Sequence, residues 1–196
     1  MLPPHPLGKL AGMTGPRLEG LLALVAFGLT IPAANWLIGH AGTVCVPQGP
    51  CLIPVAPGVM APSGVLMIGL ALVLRDVVQR RLGLGFAWMA ILAGTALSAL
   101  LAPPALVMAS AVAFLVSETA DLAVYTPLQR RRFVLAVLAS GLVGLVVDSV
   151  FFLWIAFGDL GFLPGQMLGK LWMVLLALPL AAWLRQADAR RGILPA

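Results

Sequence analysis

Six ionisable side chains in this sequence fall within long apolar runs or at their edges: Arg75, Asp76, Glu118, Asp121, Asp148 and Lys170. Asn35 and Gln166 are their neutral polar companions. A charge at the centre of a membrane-crossing helix costs about 2.5–3.5 kcal/mol even on the insertion scale, so such residues pair or line a polar cavity. Glu118 and Asp121 are one helical turn apart, with Tyr125 a turn further. At 1.5 Å per residue, Asp148 lies ~20 Å along its helix from Phe133, and Lys170 lies ~12 Å from Phe162. On antiparallel helices these two reach similar depth, either as a structural ion pair or as part of a pocket wall. Asp76 and Arg80, also one turn apart, are expected to form an ion pair that snorkels to the nearby surface.

Several chemistries lack their residues. The two histidines, His5 and His40, lie outside every apolar run, and no HExxH or helical cysteine pair supplies metal ligands, so neither a metal nor a cofactor is expected. There is no GxSxG and no phosphate-cradling glycine-rich loop, so any use of ATP needs a partner chain. Pairing Lys170 with Ser117, Ser140 or Ser149 as a Ser–Lys enzyme is the remote alternative, because serines on membrane helices mostly mediate packing. The remaining inventory is buried carboxylates, one lysine, and the aromatics Trp36, Phe151, Trp154 and Trp172. That set suits holding a flat polar molecule by its edges and faces, which is binding and translocation without bond breaking.

The elements that must carry these residues are apolar and long. The chain of 196 residues is 61% hydrophobic and only 10% charged, with mean hydropathy +1.06. Six stretches approach the ~20 residues that cross ~30 Å of hydrocarbon: Leu18–Ile38, Ala61–Leu82, Gly83–Leu101, Pro104–Tyr125, Phe133–Gly158 and Phe162–Leu184. Basic residues sort by connection. Lys9 and Arg17 precede the first stretch, and Arg75, Arg80 and Arg81 are assigned to the second-to-third turn. Arg130, Arg131 and Arg132 separate the fourth and fifth stretches, and Arg185, Arg190 and Arg191 follow the sixth. The alternate connections, Gly39–Met60, Ala102–Pro103 and Asp159–Gly161, hold no Lys or Arg.

By the positive-inside rule this predicts an all-α polytopic membrane protein, a six-transmembrane-helix bundle with both termini cytoplasmic, in a bacterial inner membrane. Residues 1–196 are expected to form one integral membrane domain, with the first stretch retained as a helix because it is too long for a cleaved signal. The net charge of +5 is spread over four cytoplasmic positions, so anionic lipid headgroups account for it and no nucleic acid is implied. Cys45 and Cys51 fall in the outward Pro/Gly-rich loop, where they form a disulfide or remain free thiols.

Small residues recur every four positions on three stretches: Ala136, Ser140, Gly144, Asp148; Ala109, Ala113, Ser117, Asp121, Tyr125; and Ala90, Gly94, Ser98, Ala102. Such stripes let helix backbones approach, within this bundle or, in a subunit that needs an ATPase module, against that partner; an energising module or a homo-oligomer is a possible partner. Two of them run into an Asp, so the inner seam is expected to turn from small to acidic.

In order along the chain, the runs Ala61–Val65, Leu74–Gly83, Ser117–Tyr125 and Val147–Phe157, followed by Lys170 within Gly169–Leu178, resemble the queuosine precursor transporter family. That group is also called the vitamin uptake transporter family. The resemblance runs from Asn35 to about Trp183. It implies a fold similar to the six-helix S components of energy-coupling factor transporters, and uptake of a deazaguanine such as cyano- or aminomethyl-deazaguanine. Asn35, Asp76, Asp121, Asp148 and Lys170 match polar positions of the family, and Glu118 stands where it carries Glu or Gln. The Cys- and Pro-containing loop departs from the pattern, and Arg75 before Asp76 is found in only part of the group.

The expected substrate contacts are therefore Asn35, Trp36, Asp76, Glu118, Asp121, Asp148, Phe151 and Lys170. Glu118 or Asp121 would accept the ring's paired N–H donors, and Trp36, Phe151 and Trp154 would stack on its faces. If both acids instead pair near Arg130–Arg132, the site is to be sought around Asn35 and Asp148. The alternative function is an S-component-like subunit for another vitamin-type solute, working with an ATPase module.

Overall fold

The computed structural model describes residues 15–192 apart from Gln48. His5 and Lys9 lie outside the described residues. Six α-helices are present among them: α1 (Gly15–His40), α2 (Val65–Leu82), α3 (Leu84–Leu101), α4 (Val107–Leu128), α5 (Phe133–Phe157) and α6 (Leu163–Arg191). Five are long and apolar enough to cross a membrane. The exception is α2, whose 18 residues include Arg75, Asp76, Arg80 and Arg81. That helix is also the central one, packed against all five others. Its charges are met by protein, and its neighbours present the apolar faces: Leu22, Leu29, Met108, Trp154, Leu176 and Trp183 all point outward. The chain is thus a multi-pass helical membrane protein.

Gly83 joins α2 to α3 as a single residue. Its φ of 93° lies where side chains are disfavoured, so glycine permits the abrupt reversal. All three small-residue stripes are buried, and they pack this chain's own helices. This agrees with the packing of neighbouring helices expected of them, and none of the three stripes is left on the surface to dock a partner. Gly144 shows why the residues must be small: a Cβ there would sit 2.8 Å from Leu72 and 3.0 Å from Asp121 Oδ2.

The connection between α1 and α2 is not the irregular loop expected from its prolines. It forms a three-stranded antiparallel sheet of β1 (Val44–Cys45), β2 (Cys51–Ala56) and β3 (Val59–Pro62), in that spatial order. Cys45 and Cys51 face each other in register and are disulfide-bonded. The sheet rests on α6, where Trp172 Nε1 donates to the Val55 carbonyl at 3.1 Å. Met60's backbone comes so close to Gly165 that no side chain could be accommodated there.

At the opposite end, the start of α1 meets the ends of α2 and α6. Arg80 and Arg81 both bond Asp188, Arg81 and Arg191 both reach Glu19, and the Arg80 guanidinium lies 3.8 Å from the centre of the Phe133 ring. The predicted Asp76–Arg80 pair is therefore corrected: Arg80 turns away along α2 to meet α6.

Candidate functional site

Between the sheet end and the bundle's middle lies a cavity of about 70 Å³. This is several times the roughly 10–15 Å³ that one water requires. Its polar wall is Asn35, Ser98, Ser110, Asp148, Gln166 and Lys170, and its ring-bearing wall is Phe114 and Phe152. The four-step stripe of α5 continues through Asp148 to Phe152, so carboxylate and ring share one face. On α6, Gln166 and Lys170 are likewise four apart.

Lys170 is buried and uses its three donors on Asp148 Oδ2 at 2.5 Å, Gln166 Oε1 at 2.7 Å and Ser149 Oγ at 2.8 Å. Ser117 Oγ reaches Asp148 Oδ1 at 3.4 Å, joining α4 to the same carboxylate. Asp148 retains acceptor capacity, since a carboxylate has about four lone-pair sites. Asn35 donates one N–H to the Ile31 carbonyl at 3.0 Å, leaving its amide oxygen available.

Of the residues expected at the site, the cavity brings together Asn35, Asp148 and Lys170. Trp36 is 58% exposed and stacks on His40, and Phe151 and Trp154 are 40% and 64% exposed on the outside of the bundle. The rings on the cavity wall are those of Phe114 and Phe152. Asp76, Glu118 and Asp121 are buried but absent from the cavity wall, because Arg75 gathers them. Its Nε donates to Glu118 Oε2 at 3.1 Å, while Nη2 bonds Asp121 Oδ1 and lies 3.1 Å from Asp76 Oδ1. Arg75 therefore does not belong to the turn where the sequence reading put it. It sits seven residues inside α2, ~10 Å from the helix end. Nor do Glu118 and Asp121 pair with Arg130–Arg132. The sequence reading missed Ser98, Ser110, Phe114 and Phe152 as wall residues, and the α5 stripe extended by one step would have found the last of these.

The chain thus holds a Lys170–Asp148 pair at the edge of a cavity, two amides, and two rings. Such a wall can orient a small polar molecule. No curated protein and no solved structure matches the chain. A family model described as "Putative vitamin uptake transporter" matches residues 98–184, from the last turn of α3 through most of α6. Over that stretch, which carries Glu118, Asp121, Asp148, Phe152, Gln166 and Lys170, the chain is similar to the vitamin uptake transporter family.

Proposed function

We propose that this chain is an uptake transporter for a deazaguanine precursor of queuosine, carried through a six-span bundle with cytoplasmic termini. The carrying observation is the cavity walled by Asp148, Lys170, Asn35 and Gln166 with Phe114 and Phe152. A guanine-like ring presents adjacent N–H donors that a carboxylate accepts at two points, and in a dry pocket that contact is strong. In this reading Asp148 takes the clamp role first expected of Glu118 or Asp121. Asn35 or Gln166 reads the ring's remaining edge, and the two phenylalanines cover its faces. The match to vitamin uptake transporters supports the solute class.

The Ser–Lys alternative has little support. Ser149 does bond Lys170, but it is fully buried outside the cavity wall, and Lys170 commits its donors to three acceptors at once. A general base would need a free lone pair aimed at the serine.

The test uses cells unable to synthesise the precursor, expressing this chain and supplied with 7-cyano-7-deazaguanine. Queuosine should reappear in their tRNA, and Asp148→Asn should lower the yield. Absence of queuosine, with the wild-type chain verified in the membrane, would overturn the reading.

A further inference from the structure

Arg75 brings one positive charge to three carboxylates, all four residues being at most 1% exposed. Among the described residues, the surroundings supply no second cation. From α2, Gln79 accepts from Arg75 Nη1 at 3.2 Å, while Arg80 is engaged with Asp188. From α4, Tyr125 donates its hydroxyl to the Asp76 carbonyl at 3.0 Å, and Ser117 shares its hydroxyl between the Phe114 carbonyl and Asp148. From α5, Ser140 donates to Asp76 Oδ2 at 3.2 Å, and Asp148 is held by Lys170 of α6. The neighbouring cluster from α1 and α3 is apolar, built on Phe27, Ile31 and Ala90. Fully ionised, the group would bury two uncompensated negative charges, which a dry interior strongly disfavours.

The hydrogen bonding points the same way. Asp121 Oδ2 has no partner, and Asp76 Oδ1 has only the ion-pair contact with Arg75, without hydrogen-bond geometry. One proton on either acid removes a charge and supplies the donor that these oxygens lack. Among the described residues, no group of three His, Cys, Asp or Glu side chains is arranged to hold a metal ion.

We propose that Asp76, Glu118 and Asp121 share one exchangeable proton around Arg75, and that this proton accompanies the solute. The second half rests on the transport reading above. The two regions adjoin on α4: Ser117, the residue before Glu118, bonds the Phe114 carbonyl at 3.1 Å and lies 3.4 Å from Asp148 Oδ1 in the cavity wall. One O–H bond forms when the proton arrives from the cavity side, and the same bond breaks when it leaves toward the arginine-lined end.

Two measurements test this on the full chain in liposomes. The first is infrared spectroscopy without solute. A protonated carboxylic acid band should be present at neutral pH, be lost or shifted in Asp76→Asn or Asp121→Asn, and persist in Asp148→Asn. If those variants do not fold, wild type grown with isotope-labelled aspartate or glutamate, each in the folded Asp148→Asn background, should shift the band in one of the two. No such band at neutral pH, or a band untouched by Asp76→Asn, Asp121→Asn and Glu118→Gln alike, overturns the proton site.

The second measurement is uptake of neutral 7-cyano-7-deazaguanine under an imposed pH gradient. One proton per solute predicts about tenfold accumulation per pH unit. Accumulation indifferent to the pH gradient, or driven by sodium instead, overturns the coupling. No uptake under any gradient overturns the transport reading and the coupling with it, while the infrared band still decides whether the proton site exists.

Discussion

Phe152 and Phe151 are adjacent in the chain and separated in role. Phe152 lines the cavity, whereas Phe151 faces outward. If a purine-like ring stacks there, Phe152→Ala should weaken binding of 7-cyano-7-deazaguanine by ~1–3 kcal/mol, or about 5–150-fold, as for other base–aromatic contacts. Phe151→Ala should change it by no more than about 0.5 kcal/mol, the usual range for a surface change. Equilibrium binding to the purified variants checks both, and equal losses would remove the stacking role. The distinction was readable in the sequence, since Ala136, Ser140, Gly144 and Asp148 point to position 152 and not to 151. The Asp148–Lys170 pair was legible for a similar reason, because helix rise alone gives depth. Lys170→Met strands a buried carboxylate, and removing one partner of such a pair costs ~3–5 kcal/mol. Adding Asp148→Asn should restore part of that stability, short of all of it because Ser149, Gln166 and Ser117 also lose partners. Thermal unfolding of the single and double variants measures the coupling, and additive losses would argue against it. Arg75 was harder to place. Near a helix end an arginine can snorkel to the headgroups or turn inward, and only the positions of Glu118 and Asp121 on α4 settle which.

The six helices follow from hydropathy, yet two of their details do not. Residues beyond Leu184 read as a basic tail, but α6 continues to Arg191 and its buried face runs Ala177, Ala181, Leu184, Asp188. The periodicity crosses the charged boundary because Arg80 and Arg81 of α2 wait there for a carboxylate. This makes Asp188 the shared partner of two buried guanidiniums. Asp188→Asn should cost ~3–5 kcal/mol of stability, as expected when a buried partner is removed. Glu19→Gln, at a side chain about one-third exposed, should cost no more than ~1 kcal/mol. Comparable melting shifts for the two would show that the clasp is not organised around Asp188. The second detail is the small sheet. Pro54 argues against a central strand, since it cannot donate to a ladder. It is tolerated because β1 pairs β2 only at Leu52 and Cys51, so β2 has a free edge by position 54, where its register with β3 also shifts. The Pro57–Gly58 turn before β3, with Gly58 at φ 73°, was the local signal for a hairpin.

Across the whole molecule, polarity is layered along the bundle axis: disulfide-closed sheet, cavity with Lys170 and Asp148, Arg75 with its three acids, then the clasp of Arg80, Arg81, Asp188 and Glu19. Arg75 aside, the charge asymmetry between the two ends was visible in the sequence, because lysine and arginine placement relative to apolar runs is a one-dimensional signal. The middle layers were not, since they depend on which faces of α2, α4 and α5 converge. Orientation in the membrane now has two independent supports. Arginine-rich connections favour the cytoplasm, and a disulfide persists in an oxidising compartment and is rare in the cytosol. Both favour the proposed orientation, with the sheet outside. Intact cells should therefore leave Cys45 and Cys51 unreactive toward an impermeant thiol reagent, and brief treatment with an impermeant reductant should make both reactive without breaking the membrane. A Cys45→Ser variant should expose Cys51 with no reductant at all, although Cys51 is only 3% exposed and should react slowly. Cys51→Ser leaves the more open Cys45 as the faster reporter. Labelling of that cysteine only after the inner membrane is opened would invert the topology, and with it the direction in which the cavity faces its solute.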